Sequence, residues 1–114
     1  MKSSCHRLEY YEASEREIIT AARSWWQMHG FTVHAPEHPA VLISHHGSDF
    51  GITDRQTKRI MQVLLQPTGT GTAVSVNHHT SRIFCLVGVM CGNILEQETD
   101  SFLHFIGETI ATSY

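Results

Sequence analysis

The sequence predicts an α+β domain with an N-terminal helix, an antiparallel sheet of about five strands and a C-terminal helix. Three observations support this class. Segments with helical spacing lie near both ends of the chain, strand-like runs fill the part between them, and turn signals divide those runs into two hairpins. The 114 residues are enough for one hydrophobic core and too few for two, so we take residues 1–114 as a single domain.

The first helix is predicted over residues 14–29. Ser14 can cap the first turn, and Glu17, three positions later, completes a capping box. Gly30 supplies the residue type that commonly ends a helix. The positions that recur at steps of three and four form one apolar stripe: Ile18, Ala22, Trp25, Trp26 and His29.

The first hairpin is predicted from two short runs that are partly β-branched, residues 31–35 and residues 40–45. Pro36 and Pro39 lie between them and oppose helix formation while favouring a turn. These runs are therefore expected to pair with each other.

The second hairpin is predicted from residues 59–66 and 72–79. They flank residues 67–71, a cluster of proline, threonine and glycine that is typical of a turn. Residues 54–66 also fit a helix, because a capping box begins at Thr53 and their apolar spacing suits either structure. We favour the strand. The helical alternative would give the order α-β-β-α-β-β-α, which is found in small acidic dimeric chaperones of secreted proteins.

A central strand and a closing helix complete the prediction. Residues 82–91 are apolar at nearly every position, as expected for a strand that is covered on both faces. Residues 95–111 predict the C-terminal helix, in which Gly107 would allow close approach to the sheet. Its apolar side comprises Leu95, Thr99, Phe102, Leu103, Ile106 and Ile110.

Composition excludes several classes of function. The formal net charge is −3, so the chain as a whole has no electrostatic attraction for nucleic acid. No apolar stretch approaches the roughly 20 residues that span a bilayer, and no signal peptide is evident, so we expect a cytoplasmic protein without a membrane partner. We expect Cys5, Cys85 and Cys91 to be reduced, with Cys5 exposed near a mobile terminus.

Histidine is over-represented, with nine residues against eight lysines and arginines combined. Complete protonation would move the formal net charge from −3 to +6. The histidines are scattered along the chain rather than clustered as a tag. Acid is therefore expected to affect this protein strongly.

Two histidine dyads give the sharpest candidate for a site. His45-His46 and His78-His79 each lie at the predicted end of a strand, and Asp49 follows the first dyad closely. Imidazole and carboxylate groups bind divalent metals such as zinc, so these five residues are a candidate metal site. Adjacent strand residues point to opposite faces, however, so at most one histidine of each dyad can reach a common site while the strand continues. The chain also lacks the short ligand spacings of known metal motifs.

Trp25 and Trp26 are the second candidate. Adjacent indoles on a helix project in different directions, so both are buried only where two surfaces are available. Packing in the core is one interpretation, and contact of one indole with a partner or ligand is the other.

The leading functional hypothesis is a non-enzymatic binding or interaction module, expected to be homodimeric, that uses an uncovered sheet face and the Trp25-Trp26 region. The binding partner, whether a protein or a small molecule, is left open, and no cofactor is expected. One alternative is a metal- or histidine-dependent enzyme at the dyads, with zinc as the candidate ion. Another is a chaperone-like or pH-responsive interaction domain.

Overall fold

The computed structural model describes residues 4–34, 41–47, 58–80 and 94–112, which form one antiparallel sheet and two helices. The α+β class and the five-stranded antiparallel sheet are confirmed. The elements in chain order are β1 (Ser4–Tyr11), α1 (Glu15–Met28), β2 (Thr32–His34), β3 (Val41–His46), β4 (Arg59–Thr68), β5 (Gly71–Thr80) and α2 (Ile94–Thr112). Within these residues, no helix is both long enough and apolar enough to cross a membrane.

Helix α1 begins and ends where the sequence predicts. The Ser14 hydroxyl accepts a hydrogen bond from the Glu17 amide at 3.2 Å, which satisfies one of the free amides of the first turn. Glu15 and Glu17 place negative charge at the positive end of the helix dipole. After the helix, Gly30 adopts a φ of 76°, a conformation that side chains disfavour. The chain can then turn directly into β2.

Both predicted hairpins are present, and they join through β3 and β4 into a sheet of order β1-β5-β4-β3-β2. Strands β4 and β5 pair over their full length, from Arg59 opposite Thr80 to Thr68 opposite Gly71. Gly69 has a φ of 62° in the two-residue connection, at the first turn position, where both common two-residue hairpin turns require a positive φ. Of the segment that fitted either a helix or a strand, residues 59–66 are strand, as favoured above. Residues 54–57 lie outside the described part of the chain.

Strand β1 is an element that the sequence analysis did not predict. It pairs antiparallel with β5 over eight residues, from Ser4 opposite His79 to Tyr11 opposite Thr72. The expectation for Cys5 was wrong, because its position in this strand leaves the side chain only 5% exposed. The predicted strand at 82–91 lies outside the described residues.

The core fills the space between the helices and one face of the sheet, which we call the inner face. It is built by alternate strand residues, including Leu42, Met61, Val63, Leu65, Val74 and Val76. Both helices contribute apolar residues to the same core, so they lie on the same side of the sheet. Trp26 of α1 stacks on Phe102 of α2 with ring centroids 5.6 Å apart. The opposite face, the outer face, is covered by neither α1 nor α2.

Candidate functional site

The strand register places one histidine of each dyad on the inner face and the other on the outer face. His78 is opposite Met61 and points into the core, where it is fully buried. His46 lies on the same inner face, opposite Arg59. His45 and His79 share the outer face, on either side of Ile60. The expectation that each dyad would send one histidine to each face is therefore met.

An ion cluster joins the inner face to α2 at the end of the core. Glu98 accepts hydrogen bonds from Arg59 at both carboxylate oxygens, over 2.7 and 3.0 Å, and from His78 Nε2 over 2.9 Å. Burial opposes ionisation of Glu98, but the hydrogen bonds and charges of His78 and Arg59 outweigh it and hold the pKa of the carboxyl below its ordinary value. Glu98 is therefore a carboxylate at neutral pH.

Both ring nitrogens of His78 face oxygen atoms of the protein. Its Nδ1 lies 3.2 Å from the Ile60 carbonyl oxygen and its Nε2 faces the Glu98 carboxylate. Both partners can accept hydrogen bonds but cannot donate them. Arg59 and His78 thus contact the same carboxylate, so Glu98 joins β4 and β5 to α2.

His46 contacts the same cluster through Arg59. The Arg59 guanidinium, which can only donate, lies 3.2 Å from His46 Nδ1, so that nitrogen accepts and the proton resides on Nε2. Burial and the Arg59 charge lower the pKa of His46. Phe31 packs between the two inner histidines, with ring centroids 5.2 Å from His46 and 5.9 Å from His78.

Ring nitrogens of His46 and His78 therefore already form hydrogen bonds with protein groups, and those nitrogens would have to break these bonds to bind a metal. No group of three or more His, Cys, Asp or Glu side chains in the described ranges is arranged to hold a metal. Asp49 lies outside those ranges. The metal site of His45, His46, Asp49, His78 and His79 stays a prediction.

Both tryptophans are buried in the core. Trp25 is 1% exposed, donates from its indole nitrogen to the Ser101 hydroxyl at 3.2 Å, and stacks on His29 with centroids 4.2 Å apart. Trp26 is 0% exposed and its indole N–H points at Met61 Sδ at 3.3 Å. The two surfaces that bury them are α2 and the inner face. Their contact with a partner or ligand stays a prediction.

The outer face has an unusual composition. Its strand positions alternate with the core-facing ones and hold apolar, small, amide and histidine side chains, with no Asp, Glu, Lys or Arg among the described strand residues. Lys58 comes just before β4 and lies close enough to His45 to lower the pKa of that histidine. The strand positions of the outer face are Ser4, His6, Leu8, Tyr10, Thr32, His34, Ile43, His45, Ile60, Gln62, Leu64, Gln66, Thr68, Ala73, Ser75, Asn77 and His79.

Three large apolar side chains are exposed together on this face. Leu8 of β1 and Leu64 of β4 both lie opposite Ser75 of the intervening strand, and they are 67% and 50% exposed. Tyr10, two residues beyond Leu8 and therefore on the same face, is 47% exposed. We call Leu8, Tyr10 and Leu64 the apolar patch. Sequence reasoning missed it because two of its members belong to the unpredicted strand β1.

The described residues border at least two open depressions. One, of about 470 Å³, is bordered by Arg23, Gln27, Phe31, Val33 and His34. The other, of about 300 Å³, is bordered by Arg7, Glu9, Tyr11, Asp100, Leu103 and His104. Neither is bordered by a residue of the apolar patch.

Comparison with known proteins supports the fold and names no function. No protein-family model matches the sequence, and no curated protein matches it. The crystal structure of CalU16 from Micromonospora echinospora is similar, with a TM-score of 0.56 and 16% identity over 96% of this chain and 79% of that one. TTHA0849 from Thermus thermophilus is similar with a TM-score of 0.51 and 16% identity, over 96% of this chain and 98% of that one.

Proposed function

We propose that the protein is a non-enzymatic interaction module that forms a homodimer through the outer face of its sheet. The observation that carries this proposal is the apolar patch on a sheet face whose described strand positions lack charged residues. We place the protein in the cytoplasm, where an unpaired thiol such as that of Cys5 stays reduced.

The apolar patch gives the association its free energy. Neighbouring strands lie about 4.8 Å apart, so Leu8 and Leu64, two strands apart, are about 10 Å from each other and can contact one partner surface together. Burying apolar surface contributes about 25 cal/mol per Å² removed from water. Contiguous apolar groups on an otherwise polar surface are typical of interaction sites.

A second copy of the chain is the partner that this face fits best. In a two-fold dimer the same patch meets itself, so any net charge on it would face a like charge. The outer-face strand positions that the structure describes avoid that repulsion, because they hold no Asp, Glu, Lys or Arg. Homodimer interfaces are correspondingly apolar and poor in charge. Two such sheets can stack face to face at the usual separation of about 10 Å.

The histidines of the outer face favour a second candidate function, a pH-responsive interaction domain. His6, His34, His45 and His79 all occupy this face, so protonation in acid would place positive charge on both copies at the interface. The dimer would then dissociate as the pH falls. Sedimentation at about pH 8 and about pH 5 tests this regulation, and an unchanged dimer at both values would contradict it.

Sedimentation velocity of the untagged chain over a range of concentrations tests the dimer itself. Leu64→Glu should give a folded monomer, because dimerisation would bury an unpaired carboxylate from each copy in the apolar contact. Met28→Glu is the matched control: Met28 is 62% exposed on α1, away from the outer face, so that variant should remain dimeric. Circular dichroism checks that both variants fold. A monomeric wild type, or a Leu64→Glu variant that dimerises like the wild type, would exclude this interface.

A further inference from the structure

Two histidines meet at the edge of the outer face. His34 of β2 and His45 of β3 lie on neighbouring strands, diagonal to each other, since His34 is opposite Ile43 and His45 is opposite Thr32. His34 Nε2 and His45 Nδ1 are 2.6 Å apart, with ring centroids separated by 4.7 Å and planes inclined by 34°. Two ring nitrogens from different strands therefore point at one small volume.

The surroundings of His45 disfavour its protonated form. Burial, followed by the charges of His34 and Lys58, holds the pKa of His45 below its ordinary value. Two nitrogens at this separation have room for at most one proton between them. Deprotonated imidazole nitrogen is the ligand that zinc, copper and nickel commonly take in proteins.

We propose that His34 and His45 form a two-nitrogen binding site for a divalent transition-metal ion. Bonds of about 2.0–2.1 Å at a tetrahedral angle would place the nitrogens about 3.4 Å apart, so the rings need to separate by less than about 1 Å. His34 is exposed, so water can occupy the remaining coordination positions. The site lies at the edge of the outer face and shares no residue with the apolar patch, so Leu64→Glu can test the dimer without removing either histidine.

Several features define the expected metal preference. Imidazole nitrogens bind Cu²⁺ more tightly than Ni²⁺ or Zn²⁺, following the general order of divalent affinities. With only two protein ligands and the nearby positive charge of Lys58, binding should be weaker than at structural zinc sites, which have four ligands. Protons compete with the metal for both nitrogens, so affinity should fall in acid.

Calorimetric titration of the untagged chain with CuCl₂, NiCl₂ and ZnCl₂ tests the site at about pH 7.5, above the ordinary pKa of histidine. We expect saturable binding of one ion per chain, tightest for Cu²⁺. His34→Ala and His45→Ala should each weaken it by at least about tenfold, a loss of about 1.4 kcal/mol or more. His104→Ala is the control: this histidine is 76% exposed on α2, and its removal should leave the affinity unchanged.

The titration is repeated on Leu64→Glu, so that the metal site and the dimer can fail separately. If the Leu64→Glu variant binds metal, and replacing His34 in that variant abolishes the binding, the site is supported whatever the oligomeric state. Titrations that show no saturable binding, or binding that survives replacement of both His34 and His45, would overturn it. Because His34 is exposed, the variants should fold, and His34→Gln gives a second test that preserves side-chain polarity.

Discussion

His78 and Glu98 form a buried hydrogen bond in which the ring Nε2 donates to a carboxylate oxygen over 2.9 Å. The pair fastens the last residues of β5 to the N-terminal part of α2. Arg59 reaches the same carboxylate from β4, so one acidic side chain holds two strands against one helix. None of these contacts is local in sequence, and together they position the end of the core next to Phe31.

Replacing Glu98 with glutamine should destabilise the fold strongly. The variant keeps the shape of the side chain but removes the carboxylate charge that Arg59 and His78 both contact, and breaking a buried ion pair costs about 3–5 kcal/mol. Urea unfolding measures the loss of free energy. Glu108→Gln is the matched control, since Glu108 is 66% exposed and its change should stay within about 0.5 kcal/mol. Equal effects of the two substitutions would show that the cluster contributes little.

Acid should lower stability in two stages. Burial holds the pKa values of His45, His46 and His79 below the ordinary 6.5, so as the pH falls through 6.5 the unfolded chain takes up protons before the folded chain does. Proton uptake by the unfolded state lowers the free energy of unfolding. The pKa of Glu98 is likewise below its ordinary 4.5, so stability falls again as the pH drops below 4.5.

Urea midpoints measured at a series of pH values check both stages. His46→Gln should reduce the slope of stability against pH just below 6.5, and Glu98→Gln should remove most of the stage below 4.5. Stability that stays constant between about pH 7 and about pH 5 would contradict the first stage. Measurements at a single protein concentration keep any contribution from association fixed.

Local signals predicted most of the fold. The Ser14 cap, the apolar spacing of α1 and the glycine at 69 each act within a few residues, so their structural meaning can be derived from the sequence directly. Strand β1 was not predicted because its alternation of polar and apolar residues is inverted. Arg7 and Glu9 occupy the face next to α2, while Leu8 and Tyr10 point outward. A strand of that kind does not show the apolar-inward pattern that identifies a half-buried strand.

The candidate sites were less predictable because they depend on pairing register. The alternation of strand residues predicted that each dyad would divide between the faces, and that is observed. The role of Glu98 could not be predicted, since it is 39 residues from Arg59 and 20 from His78 and lies on a different element from both. The approach of His34 to His45 likewise depends on which residues of β2 and β3 face each other.

Two glycine-to-alanine substitutions should have opposite effects. A Cβ at Gly107 would lie 3.6 Å from Tyr11 Cε1, an ordinary contact, and alanine favours the helix, so Gly107→Ala should stabilise by about 0.5–1 kcal/mol. A Cβ at Gly71 would overlap the Tyr11 carbonyl oxygen and the Tyr10 ring, so Gly71→Ala should destabilise by at least about 1 kcal/mol. Thermal unfolding of both variants beside the wild type shows whether each substitution raises or lowers stability. A loss of stability in Gly107→Ala would mean that α2 packs closer to β1 than this contact indicates.

Ser14→Ala should weaken the start of α1 without altering the core. The hydroxyl accepts the Glu17 amide at 3.2 Å, and removing such a cap costs about 1 kcal/mol because the amide loses its protein partner. Ser14→Asp should retain the cap and add favourable charge at the helix N-terminus, so its stability should equal or exceed that of the wild type. Thr20→Ala is a control on the same helix, where the hydroxyl only bonds back to the Arg16 carbonyl at 2.9 Å. If Ser14→Ala and Thr20→Ala shift the urea midpoint equally, the cap does not set the stability of this helix.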